Sequence, residues 1–177
     1  LVELSNDEKN KEQLKNVFSR LESLIEEFAS IEEILVKKDS LDKKSYYLED
    51  IIDNALDLLF MDDKNIETSI NHHKLEINFK LFSIAVKNLI DNAIKYSYDK
   101  KVQIVVDDNC IKFINKGDKL QKPLKEYFVP FNKNPNTSKD SFGLGLYITS
   151  HILKEHNMKL EYKYLEDKNI FKIVKIL

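Results

Sequence analysis

One stretch of this 177-residue chain, Ala85 to Ser97 (AVKNLIDNAIKYS), sets Asn88, Asp91, Asn92 and Lys95 at i, i+3, i+4 and i+7. On a helix those four polar groups share one face. Phe82, Val86, Leu89 and Ala93 form an opposing apolar stripe. Asparagine is a mediocre helix former, so two of them on one face ask for a reason beyond solubility. Amide oxygens offered to a hard cation are one such reason. Mg²⁺ takes one or two protein oxygens and completes its shell with water and nucleotide phosphates, and Lys95, one turn on, meets a phosphate as a point charge. On this motif alone an ordinary solvated helix face stays open.

A second candidate is SFGLGLYITSHIL, in which Gly143 and Gly145 stand between a loop and an apolar-periodic helix. Glycine there lets backbone N–H groups approach an anion at a helix N-terminus, where unpaired donors and the helix dipole favour negative charge. A lone G-x-G is equally a plain loop-to-helix hinge. The order of elements adds to it. A polar Asn-rich helix is followed by an apolar strand ending in Asn115-Lys116-Gly117, a long loop carrying Tyr127, Phe128 and Phe131, and then a glycine-opened helix. That succession describes an ATP site closed by a lid.

The elements that must position these groups are legible from periodicity. All three glycines (Gly117, Gly143, Gly145) and all three prolines (Pro123, Pro130, Pro135) fall between 117 and 145, so backbone freedom is concentrated in one long loop. Near the N-terminus, Leu14, Val17, Leu21, Leu24, Phe28, Ile31 and Leu35 alternate spacings of three and four, with Phe18 and Ile25 flanking. This predicts a long helix whose seam packs in a bundle, either against another copy or on the domain that follows. After a polar break from Lys37 to Ser45, helical spacing resumes over residues 47–60. Strands are expected over 66–70 and 74–78, a strong helix over 79–96, a hairpin of strands over 101–106 and 110–115, a helix over 143–156, and a closing pair of strands over 159–164 and 170–176. Strands and helices that do not strictly alternate predict an α+β fold, a two-layer α/β sandwich preceded by the long N-terminal helix. The domain division expected is 1–40 and 46–177.

Composition excludes several classes. Hydrophobic residues make up 42% and charged residues 33% of the chain, with both signs mixed and a net charge of −2. Such a chain folds, and it has no basic excess to draw it to nucleic acid, so any phosphate binding is local. The single cysteine, Cys110, lies in an apolar run and reads as a buried strand thiol in a reducing compartment. No uninterrupted apolar stretch spans a bilayer, and the N-terminus carries no signal-peptide pattern. Opening on Leu1 rather than methionine, the chain reads as a piece of a longer protein.

At this point the sequence resembles a known family, the GHKL ATP-binding fold, and within it the catalytic domain of two-component sensor histidine kinases. Asn88 to Ser97 (NLIDNAIKYS) looks like the family's N box. That likeness implies Asn92 as a Mg²⁺ ligand, Asn88 as a neighbouring metal or water contact, Lys95 on phosphate and Tyr96 beside the nucleotide. Phe128 to Lys133 (FVPFNK) is similar to the F box, implying that Phe128 and Phe131 anchor the lid and that Lys133 reaches the γ-phosphate. Ser141 to Leu146 (SFGLGL) looks like the second glycine box, which implies nucleotide contacts at Gly143, Leu144, Gly145 and Leu146. Leu14 to Glu33 resembles the second helix of the dimerisation and histidine-phosphotransfer hairpin. What the resemblance implies is a protein-histidine kinase using ATP and Mg²⁺, homodimeric through the N-terminal helix, passing phosphate to a response regulator, with this portion cytoplasmic and the full-length protein anchored in the inner membrane.

The sequence departs from the family pattern in three places. Where the family has an aspartate for the adenine amino group followed by Gly-x-Gly, this chain has Asn115, Gly117 and Lys119. An asparagine oxygen still accepts a hydrogen bond, without the charge that makes such bonds about twice as strong. Ser141 replaces the first glycine of the second box. The hairpin helix that would carry the phosphorylated histidine has no counterpart, and His72, His73, His151 and His156 all read as surface or structural residues. Within the fold, an ATP hydrolase of the gyrase or chaperone type is the rival reading, but it needs a glutamate where Asn88 stands, and a neutral amide is no general base. A degenerate module that binds nucleotide without phosphotransfer is the third.

Overall fold

The computed structural model of the chain describes residues 41–107, 110–132 and 143–176, together with isolated positions between 11 and 32. At those isolated positions the backbone is helical, and Leu14, Val17, Phe18, Leu21 and Ile25 expose 47–67% of their surface. The rest of the expected seam (Leu24, Phe28, Ile31, Leu35) lies outside the described residues.

The described chain runs β1 (Lys44–Tyr47), α1 (Leu48–Leu59), β2 (Ile66–Ser69), β3 (Lys74–Ile77), α2 (Phe79–Lys95), β4 (Val102–Asp107), β5 (Cys110–Lys116), a 3₁₀ turn (Leu124–Phe128), α3 (Gly145–Glu155), β6 (Met158–Leu165) and β7 (Lys168–Lys175). Five strands form one sheet in the order β2-β4-β5-β7-β6. Only the β2–β4 pair is parallel, the others being antiparallel. β1 and β3 pair in a separate two-stranded ribbon, Lys44 opposite Ile77 and Tyr47 opposite Lys74. β1 lies where the sequence reads as a polar break running into a helix. Four residues with only Tyr46 half-buried leave too short an alternation to signal a strand.

The expected two layers are present. Strand alternation turns Val102, Ile104, Ile111, Phe113, Leu160, Phe171 and Ile173 inward, where they meet Ile51, Ile52, Phe82, Val86, Leu89 and Ala93 from α1 and α2 in one continuous core. A smaller cluster joins Leu81 and Ala85 of α2 to Leu144, Ile148 and Ile152 at and within α3. α2 thus uses two stripes, one on the sheet and one on α3. Its start is fixed by Asn78, whose Oδ1 accepts from the Leu81 N–H at 3.1 Å, an ordinary N-cap. Cys110 opens β5 and is half-buried.

Candidate functional site

The stripe of α2 that faces α3 continues past Leu81 and Ala85 to Asn88 and Asn92, at i+7 and i+11. The same packing that buries the two apolar residues therefore carries the two amides to the beginning of α3. Asn88 is only 8% exposed, and its Nδ2 donates to the Gly145 carbonyl at 3.3 Å. That carbonyl also accepts from the Thr149 hydroxyl at 2.8 Å. A Cβ built on Gly145 would stand 3.7 Å from Asn88 Cγ and 3.8 Å from Asn92 Nδ2. Both amides therefore line the helix opening. Asp91 points to solvent, while Asn92 and Lys95 are half-buried, so of the four only Asn88 is buried. A purely solvated face does not describe Asn88.

α3 opens with no side-chain cap: Leu144 precedes it, and the first bond of the helix runs from the Ile148 N–H to the Leu144 carbonyl. The N–H groups of its first turn have no partner within the helix, so this end, beside two amides, is chemically suited to an anion. Leu144 is buried, while Leu146 is half-buried against the main core. Gly143 holds φ +73°, and a Cβ there would crowd the Asn132 carbonyl at 3.1 Å, so this turn requires glycine.

At the other end of α2, Gly117 comes against its C-cap. A Cβ on Gly117 would lie 2.3 Å from the Tyr96 carbonyl oxygen, an impossible contact, and 3.2 Å from each of the Asn115 and Asn169 amide nitrogens. Tyr96 itself is 40% exposed. Asn115 and Asn169 are opposite one another on β5 and β7 and are buried on the helix-facing side of the sheet. Asn169 Oδ1 accepts from the Tyr162 hydroxyl at 2.7 Å, and its Nδ2 donates to the Asp118 carbonyl at 3.1 Å. The Tyr162 oxygen accepts from the Leu120 N–H at 3.1 Å, and burial pushes this phenol above its ordinary pKa.

The loop leaves the site by a route the sequence anticipates in part. Tyr127 is buried and Phe128 is packed against the core. Phe131, expected to anchor the lid with Phe128, is instead 62% exposed and has φ +62°. Asn132 does the holding: its Nδ2 donates to the Glu126 carbonyl at 2.6 Å and its Oδ1 accepts from Lys122 Nζ at 2.8 Å. Lys133 and Ser141 lie outside the described residues. Asn132, Tyr162 and Asn169 were not singled out from sequence, because a polar residue within a strand or loop gives no sign of the partner it will find.

The histidines sit outside this crevice. His156 is buried, with Nε2 accepting from the Asn78 N–H at 3.0 Å and Nδ1 donating to the Ile152 carbonyl at 2.6 Å. Among the described residues no group of three or more His, Cys, Asp or Glu is gathered in a metal-binding cluster. The donor set that suits a hard cation here is the amide pair, and the Asn88 Nδ2 bond to Gly145 leaves its Oδ1 as the oxygen to offer. The residues present fit Mg²⁺ held together with phosphate oxygens.

An antiparallel-rich sheet under three helices, with an amide-bearing helix meeting a glycine-opened one, defines an ATP-binding α/β sandwich. The chain belongs to the family of histidine kinase-, DNA gyrase B- and HSP90-like ATPases, whose model matches residues 80–170. It is 34% identical over 98% of its length to the sensor histidine kinase ArsS of Helicobacter pylori, and 32% identical over 93% to the sensor histidine kinase HprS of Escherichia coli K12. It spans 42% and 37% of those proteins' own lengths. Among solved structures it superposes on the histidine kinase AdeS of Acinetobacter baumannii with a TM-score of 0.69, at 19% identity, over 93% of this chain and 83% of that one. Among the described residues no helix is long and apolar enough to cross a membrane.

Proposed function

We propose that this chain is the ATP-binding catalytic portion of a sensor histidine kinase, transferring the γ-phosphate of ATP to a histidine that lies outside it, for onward transfer to a response regulator. The contact of Asn88 with Gly145 carries the reading, because it joins a metal-competent amide to a phosphate-competent helix end. Asn92 and Asn88 hold Mg²⁺ against the phosphates, the backbone from Gly143 to Leu146 receives phosphate oxygens, and Lys95 and Lys133 neutralise the charge that develops on transfer. Tyr96 and Phe128 flank the nucleotide, Phe131 closes over it when the loop folds in, and Asn115 with Gly117 forms the floor of the site. Phosphoryl transfer asks for positioning and charge neutralisation more than for covalent chemistry, and these residues supply both. A neutral amide at position 88 cannot draw a proton from water, which favours transfer to histidine over hydrolysis.

Residues 1–40 then form the second helix of a dimerisation and phosphotransfer hairpin and residues 46–177 the catalytic domain, in a homodimer anchored to the inner membrane by segments elsewhere in the protein. The exposed apolar positions from Leu14 to Ile25 support that pairing. Mixing the chain with radiolabelled Mg-ATP and a separately expressed histidine-bearing hairpin tests the proposal. Acid-labile phosphate on the hairpin is the expected result. Free phosphate without it would favour a hydrolase, and neither product a module that only binds.

A further inference from the structure

We propose that Asn115 leaves the base end of this site unselective, so that guanine nucleotides are accepted beside adenine nucleotides. The inference rests on the nucleotide-site reading above and concerns only which base the site takes.

The site has two polar ends. The opening of α3 with Asn88 and Asn92 suits phosphate and metal. Among the described residues buried on the sheet's inner face, only Asn115 and Asn169, brought together by β5 and β7, are polar, 4% and 3% exposed. That pair lies under the α2 C-terminus, one turn beyond Asn92, where the Tyr96 carbonyl meets Gly117. A nucleotide with its phosphates at α3 has this amide pair as the polar floor for its heterocycle.

The two amides differ in freedom. Asn169 is held at both ends, its oxygen by the Tyr162 hydroxyl and its nitrogen by the Asp118 carbonyl, so it cannot turn without breaking both bonds. Asn115 donates only to the Lys116 carbonyl, at 3.4 Å, the long limit of a hydrogen bond. None of the hydrogen bonds among the described residues engages its Oδ1. A half-turn about its last torsion exchanges oxygen for nitrogen at the cost of that one long bond, against two for Asn169. Adenine presents an amino donor at its 6-position and guanine a carbonyl acceptor. A carboxylate there accepts only and rejects guanine, whereas a freely turning amide meets the first with Oδ1 and the second with Nδ2. Discrimination by buried polar groups arises when the atom facing the ligand is left unpaired, and Asn115 can face either base with a matching atom.

The test is equilibrium binding of non-hydrolysable Mg-ATP and Mg-GTP analogues, by calorimetry, to the chain and to Asn115→Asp and Asn115→Ala, with thermal melts to confirm folding. The unaltered chain is expected to bind the two within about tenfold of each other. Asn115→Asp is expected to shift the ratio of the two affinities towards the ATP analogue by at least about tenfold, and Asn115→Ala to weaken both alike. A chain that binds the ATP analogue but disfavours the GTP analogue by more than about a hundredfold overturns the proposal. So does an Asn115→Asp chain with an unchanged ratio. Failure of both analogues to bind would bring down the nucleotide site itself, and this inference with it.

Discussion

The backbone N–H of Asn78 donates to His156 Nε2 at 3.0 Å, tying the start of α2 to the end of α3 across 78 residues of chain. Because the other ring nitrogen donates to the Ile152 carbonyl, the imidazole is neutral in the fold. Burial, partly opposed by that carbonyl, holds its pKa below the usual 6.5.

The unfolded chain therefore binds this proton more readily than the folded one, and stability contributed by His156 rises with pH. It is complete above about pH 6.5 and is lost progressively as pH falls from there towards the lower folded value. Thermal melts between pH 8 and pH 5 should show the unaltered chain losing more melting temperature on acidification than His156→Leu, which should itself cost about 1 to 3 kcal/mol at neutral pH by orphaning the Asn78 donor. Equal acid sensitivity in the two chains would remove His156 as the cause.

Gly117 and Gly145 should respond oppositely to alanine. At Gly117 the new methyl would meet the Tyr96 carbonyl at 2.3 Å, while at Gly145 it would find ordinary van der Waals distances of 3.7 Å and more. Gly117→Ala is expected to destabilise by about 1 to 3 kcal/mol through forced backbone movement. Gly145→Ala is expected to melt within about 0.5 kcal/mol of the original, as an uncrowded substitution does. Denaturant midpoints of the two variants would expose an error in either direction.

The Asn92 side chain takes part in none of the hydrogen bonds among the described residues, whereas Asn88 is bonded to α3. Asn92→Ala should accordingly leave the melting temperature nearly unchanged while weakening Mg²⁺-dependent nucleotide binding by tenfold or more, on the order of 1.4 kcal/mol. Titration with and without magnesium measures it, and unaltered affinity would take Asn92 out of the metal site.

Asn132 joins Glu126 and Lys122 at the head of the loop. Replacing it by alanine removes both bonds at a cost of about 1 to 2 kcal/mol. The loop should become more open to limited proteolysis while the sheet keeps its protection. Identical cleavage rates in the two proteins would argue that Tyr127 and Phe128 alone hold it.

The helices and the main strands were legible because long periodic runs bury one face: α2 was expected over 79–96 and spans 79–95, and β7, expected over 170–176, spans 168–175. β1 escaped because a four-residue strand in a two-stranded ribbon takes its identity from β3, not from its own pattern. β2 and β3 were both legible as strands, but nothing local says that they join different sheets. In the site, Asn88 and Gly145 carried recognisable spacing. Asn169 did not, since its role depends on standing opposite Asn115, a register settled only once the sheet closes. Phe131 stands exposed, an outcome its sequence does not signal because an aromatic in a loop looks the same whichever way the backbone turns it.

Asn88 grips the very carbonyl that Thr149 also holds, so the amide wall and the rim of α3 are fastened together. Leu144, just ahead of that carbonyl, is sunk among Leu81, Ala85 and Ile148. The Asn88 wall and the first turn of α3 thus form one fastened unit, whose arrangement owes nothing to a bound group.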